Sequence, residues 1–84
     1  MSNEKKEKVY SIIVNARQVE VDHKKLTFDE IVIIAFGSYT PSETLIYTVT
    51  YSKGENGKEG SLVVGQTINV KDGMVFNVTQ TNKS

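Results

Sequence analysis

His23 is the one histidine of the chain, and it stands beside Asp22 with Lys24 and Lys25 following. An imidazole next to a carboxylate is the beginning of a general-base or metal-binding arrangement. Either chemistry needs further ligands or a nucleophile at a readable spacing, and none is offered, so His23 reads as a surface histidine. The chain has no cysteine, which excludes a thiol nucleophile, a thioester donor, a zinc–cysteine site and a disulfide framework within it. Gly54, Gly57 and Gly60 punctuate a polar stretch in the manner of a phosphate-cradling loop. No Gly-Lys-Ser/Thr ending follows them and no helix comes next, so the stretch reads as a plain flexible loop. Asn77, Val78 and Thr79 match the glycosylation acceptor pattern, but the charged start carries no signal-peptide apolar region, and the match is read as chance. No catalytic, cofactor-binding or metal-ligating residue is therefore expected, and no cofactor. The chain reads as something other than an enzyme.

Length and charge narrow the class. The 84 residues fit one domain, since typical domains hold roughly 100 to 150. A chain this short buries only about 60% of its unfolded surface, so its apolar side chains go to one shared core and few remain to line a substrate pocket. Ten basic residues balance ten acidic ones, which leaves no net field to attract nucleic acid or an anionic membrane. No apolar run approaches the roughly 20 residues of a membrane span, and the expected compartment is the cytoplasm. Lys5, Lys6 and Lys8 alternate with Glu4 and Glu7, so residues 1–8 are expected to form a flexible, solvated arm.

The elements follow from hydropathy. Val9 to Val14 is a dense apolar run, and Val19 and Val21 alternate with Gln18, Glu20 and Asp22. Both suit strands, joined through Asn15, Ala16 and Arg17 with asparagine able to adopt the left-handed conformation that hairpin turns need. Thr27 and Glu30 have capping-box spacing, and Leu26 can staple onto Ile31. Phe28, Ile31, Val32 and Ala35 then share one helical face, Gly37 supplies a left-handed stop, and Pro41 opposes resumption. From Leu45 to Tyr51 the period changes to two. Ser61 to Val63 follow the glycine-punctuated loop, Ile68 and Val70 mark a short strand, Asp72 and Gly73 a tight turn, and Met74, Phe76 and Val78 a last alternating strand. The polar residues from Thr79 onward are expected to leave the sheet, with the domain over 9–79 and a C-terminal tail over 80–84.

Strand, strand, helix, strand, short strand, strand is an α+β order in which one helix covers one face of a mixed four- to five-stranded sheet. A final strand parallel to the first, made possible by the helical crossover, gives the β-grasp plan, though an unrelated α+β roll fits the same string. Alternation assigns Ile12, Val14, Val19, Val21, Val49, Ile68, Val70, Met74, Phe76 and Val78 to the helix side. It leaves Ile13, Ile46, Thr48, Thr50, Val75 and Asn77 on the opposite face, a group without charge. Such a face has the composition of the centre of a transient protein interface, and Ile13, Thr48, Thr50, Val75 and Asn77 are the expected partner-binding residues.

Leu62 to Gly65 and Ile68 to Val78 resemble the closing half of the bacterial multiubiquitin family, with the string Asp72, Gly73, Met74, Val75, Phe76, Asn77, Val78 the most specific part. Val14 to Arg17 and Tyr47 to Tyr51 resemble the family at matching places. The resemblance implies a ubiquitin-like fold and a conjugatable protein modifier. Its implied partners are a ubiquitin-activating-like enzyme, a conjugating-like enzyme and a processing peptidase, in systems some of which are linked to defence against phage. The attachment end implied is Thr81, Asn82, Lys83 and Ser84, which lacks the Gly-Gly that ubiquitin presents. Two other readings share the β-grasp plan: a sulfur carrier, whose terminal carboxylate is also adenylated, and a non-covalent adaptor domain.

Overall fold

The computed structural model describes residues 9–82. The arm expected over 1–8, and Lys83 and Ser84 of the expected tail, lie outside the described residues.

Strands β1 (Tyr10–Val14) and β2 (Arg17–Val21) form the opening hairpin in the register Ile12 to Val19 and Val14 to Arg17. Its loop is two residues, Asn15 and Ala16, both left-handed with φ of 52° and 69°. That is the geometry whose twist matches a right-twisted ribbon, and it places Arg17 in the strand instead of the connection. Helix α1 (Phe28–Phe36) begins at the expected capping box. The Glu30 amide donates to Thr27 Oγ1 at 3.1 Å, and the Thr27 amide donates to Glu30 Oε1 at 2.9 Å. Gly37, at φ 86°, ends it by donating its amide to the Ile33 carbonyl at 2.7 Å. Phe28, Ile31 and Val32 are buried and Ala35 is partly so, which is the face that the spacing indicates.

The expected α+β β-grasp fold is present. One five-stranded mixed sheet has the order β2-β1-β7-β4-β5, with β4 at Leu45–Ser52, β5 at Gly60–Leu62 and β7 at Val75–Asn82. β1 and β7 run parallel, Ile13 beside Val75 and Val14 beside Phe76, and α1 packs on one face of the sheet. The core contains Ile12, Val14, Val49, Val70, Met74, Phe76 and Val78 as assigned by alternation, joined by Leu26, Phe28, Ile31, Val32 and Leu62. Val19, Val21 and Ile68 are partly buried against it.

Three expectations change. Lys25–Thr27 is a strand, β3, which pairs antiparallel with β6 (Thr67–Asn69) in a separate two-stranded sheet, Leu26 opposite Ile68. The short strand near Ile68 therefore supports the helix entry and is not part of the main sheet. The stretch at 54–60 is no plain flexible loop. The Gly54 amide donates to the Lys58 carbonyl at 2.9 Å and the Lys58 amide to the Glu55 carbonyl at 3.1 Å, while Gly54 is buried where a Cβ would meet Met74 Cε at 3.2 Å. Finally, Thr79 to Asn82 do not leave the sheet as a tail. They remain in β7, paired with β4 from Thr48–Thr79 to Leu45–Asn82. Pairing with a neighbouring strand is made by backbone groups, so polar side chains do not prevent it.

Candidate functional site

The face of the sheet away from α1 is assembled by the parallel closure of β7 against β1, and that closure rests on two local devices. In the first, Asp72 and Gly73 hold Ser11 from both sides: the Ser11 amide donates to Asp72 Oδ1 at 2.8 Å, and the Gly73 amide donates to the Ser11 carbonyl at 2.7 Å. The Ile13 amide continues the ladder onto the Met74 carbonyl at 2.9 Å. The Asp72–Gly73–Met74 string thus sets the register of the last strand before it begins. The second device is Asn15, whose side-chain amide donates to the Val78 carbonyl at 3.1 Å while its Oδ1 accepts from the Val78 amide at 2.8 Å. One side chain does there what another strand residue would do, and it prolongs the pairing past the end of β1.

With that register, four of the five expected docking residues become direct or adjacent neighbours across three strands. Val75 lies between Ile13 on β1 and Ser52 on β4, and Asn77 lies opposite Thr50. Thr48 comes one step further along β4, opposite Thr79. Ile13 and Val75 are half-buried, whereas Thr48, Thr50 and Asn77 are exposed. The Thr50 hydroxyl reaches the Asn77 carbonyl at 3.5 Å. Ile46, 41% exposed, extends the same face opposite Thr81. Ser52, Thr79 and Thr81 also belong to this face by register and were missed in the sequence, because the last two stood in the segment expected to leave the sheet. The strand residues of this face from β1 to β4 carry no charged side chain, and the charges at its border are Asp72, bonded to the Ser11 amide, and Glu20 on the edge strand β2. A partner approaching it has no ion to desolvate, which is the condition for a transient interface with a cohesive centre.

Thr81 and Asn82 are held against Ile46 and Leu45, so these two members of the expected attachment end are structured. Lys83 and Ser84 lie outside the described residues. His23 sits in the open, its side chain 71% exposed, with Nδ1 at 2.9 Å from Asp22 Oδ1. Near the start of β4, the Tyr39 and Tyr47 rings lie 5.2 Å apart at a tilt of 54°, with Phe28 6.0 Å from Tyr39 and Phe36 6.0 Å from Tyr47, and the Thr40 amide donates to the Tyr47 hydroxyl at 3.3 Å. This cluster fastens the connection after α1 to the sheet. Burial raises the Tyr39 phenol above its ordinary 10.0, and the nearby Asp29 carboxylate and Tyr47 act in the same direction. No described helix is long and apolar enough to cross a membrane.

None of the curated proteins and none of the solved structures compared with the chain matches it significantly. A family model does, and it covers residues 10–82, which is almost the whole of the described structure. It runs from the first residue of β1 to the last of β7, so the match takes in the Asp72–Gly73 clamp, the Asn15 bridge and the uncharged face that they align. The chain belongs to the multiubiquitin family and is a small ubiquitin-like domain.

Proposed function

We propose that this domain is a protein modifier of a bacterial conjugation pathway, a cytoplasmic carrier that enzymes act upon and not an enzyme itself. Its C-terminus is activated by a ubiquitin-activating-like enzyme and passed to a conjugating-like enzyme, with a peptidase processing the product. The observation that carries this reading is the family match over residues 10–82 on a β-grasp fold. The uncharged face centred on Val75, Asn77 and Thr50 supports it as the surface on which those enzymes dock. Because Thr81 and Asn82 pair with β4, presentation of the C-terminus requires residues beyond Asn82, or release of the end of β7 from Leu45 and Ile46.

The test is to incubate the full chain with ATP and the activating-like enzyme encoded beside it, and to weigh the products. An adenylate or a protein adduct is the expected result. A mass gain of one sulfur would instead identify a sulfur carrier, and no C-terminal product of any kind would identify an adaptor. Val75→Glu or Thr48→Arg should weaken docking on the activating enzyme by roughly 1 to 3 kcal/mol, the range for central interface positions. Removing Lys83 and Ser84 should abolish the adduct while calorimetric binding largely persists. A part in defence against phage belongs to the same proposal, and loss of protection in plaque counts with Val75→Glu is the outcome expected of it.

A further inference from the structure

The last strand is held in two different ways along its length, and the change falls at one residue. Up to Val78, β7 has partners on both sides: β4 throughout, and β1 directly at Val75 and Phe76 and through the Asn15 side chain at Val78. The opening hairpin then turns back at Asn15 and Ala16, so among the described residues Thr79 to Asn82 have β4 alone as a partner strand. The core stops at the same place. Val78 and Val49 opposite it are buried, whereas Thr79, Gln80, Thr81 and Asn82 are all exposed. The N–H and C=O of Val78 both engage Asn15. By the alternation of an antiparallel ladder, Thr48–Thr79 and Ile46–Thr81 are then the hydrogen-bonded pairs, and Tyr47–Gln80 and Leu45–Asn82 are not. A two-stranded ribbon of this kind, whose outer strand buries nothing, is marginal in water.

We infer that residues 79–82 are a latch that gates activation: they peel from residues 45–48 of β4 as a unit, Val78 is the hinge, and the activating-like enzyme acts on the released form. The gate has meaning only for a modifier whose C-terminus is activated, the function proposed for the domain, and it fixes which residues open and where the opening stops. Release gives whatever follows Asn82 four more residues of extended reach, roughly 13 Å. Little opposes it. Neither segment carries a charge, and no side chain of 79–82 is buried, so what is lost is backbone hydrogen bonds that water replaces. The Asn15 bridge and the Val49–Val78 core pair keep the opening from running further into the sheet. Local opening of this kind belongs to the least stable part of a domain, whereas the strand ahead of the hinge opens only with the core. The closed form withholds the C-terminal end, and the fraction open sets the apparent affinity of an enzyme that binds the open form.

A disulfide across the latch tests it. Leu45 and Asn82 form a pair without mutual hydrogen bonds, whose Cα atoms stand about 4.5 Å apart in an antiparallel ladder, a span that a disulfide accepts. The chain has no cysteine of its own, so the double variant Leu45→Cys, Asn82→Cys forms no other bridge within the chain. The full chain carrying it, oxidised and freed of oxidant, is given to the activating-like enzyme with ATP, and pyrophosphate exchange is followed before and after reduction. The oxidised form should run at least about tenfold slower than the same chain reduced, and the parent chain should not respond to the reductant. Equal rates in the two forms, with an active parent, overturn the latch and leave the modifier reading standing. A parent that supports no exchange overturns the modifier reading, and the gate with it. Amide hydrogen exchange on the parent chain reads the hinge with no enzyme present. The Thr79 and Thr81 amides should exchange together, at least about tenfold faster than that of Asn77, which lies in the bonded pair Thr50–Asn77 on the other side of Val78. A common rate for all three places no hinge at Val78, and rates that climb evenly from Asn77 to Thr81 are the fraying of any strand end; either result overturns the latch.

Discussion

Asn15 has the most concentrated role of any single residue in this domain. It adopts a left-handed backbone at φ 52° and also makes two side-chain hydrogen bonds to Val78. Substitution by glycine separates the two functions, since glycine keeps the backbone conformation without strain and loses only the bonds. Asn15→Gly should lower stability by about 1 to 3 kcal/mol, the sum expected for two net hydrogen bonds at a half-buried site. Urea unfolding reads this directly, and an unchanged midpoint would show that the bridge to Val78 is energetically idle. Tyr39 gives a pH signature at the same scale. Its phenol is held above 10.0 in the folded chain, so the neutral form is the one that folding favours. The associated stability is whole below pH 10 and is lost as pH rises from there through the raised folded value, because the unfolded chain releases its proton first. Alkaline unfolding of Tyr39→Phe should lack that part of the decline.

Among the elements, α1 is short and rich in β-branched and aromatic residues, so its persistence depends on its ends and its docking face. The cap is reciprocal, with Thr27 and Glu30 each satisfying the other's backbone amide. Thr27→Ala should cost about 1 kcal/mol, the usual cost of an N-cap lost to alanine, with little change in the fold by circular dichroism. This start was legible in the sequence because capping is a local code of a few residues. The strand immediately before it was not. By its spacing Leu26 reads as a staple for the helix, and in the fold it lies opposite Ile68 in the β3–β6 pair. A three-residue strand has too short a hydropathy pattern to be told from a helix entry, and only the approach of Thr67–Asn69 distinguishes them.

At the scale of the whole molecule, the two faces of the sheet make opposite predictions for one substitution. Phe76 is fully buried, and Phe76→Asp should unfold the domain, because an unpaired buried charge costs several kcal/mol and a small domain has only about 5 to 15 to lose. Thr48 is exposed on the other face, and Thr48→Asp should leave the circular dichroism spectrum of a folded protein. A folded Phe76→Asp domain would mean that the strand phase is displaced by one residue, since such a slip exchanges the two faces.

The sequence by itself determined the alternation that divides those faces, the capped helix and the left-handed turn at Asn15, whereas the parallel pairing of first and last strands is settled by the fold. Each of those first three is written in neighbouring residues or in a period of two or 3.6. Tertiary structure decided the rest. Thr79, Gln80, Thr81 and Asn82 have no apolar alternation, yet they are strand because residues 45–48 of β4 lie alongside with backbone groups to satisfy. Gly54 looks like flexibility in a sequence, and in the fold it is buried beside Met74 with its amide bonded to the Lys58 carbonyl. A groove between β2 and α1 draws Val21 and Asp22 from one end of a hairpin and Glu30 and Ile33 from a helix, a grouping that exists only because α1 crosses the sheet where it does.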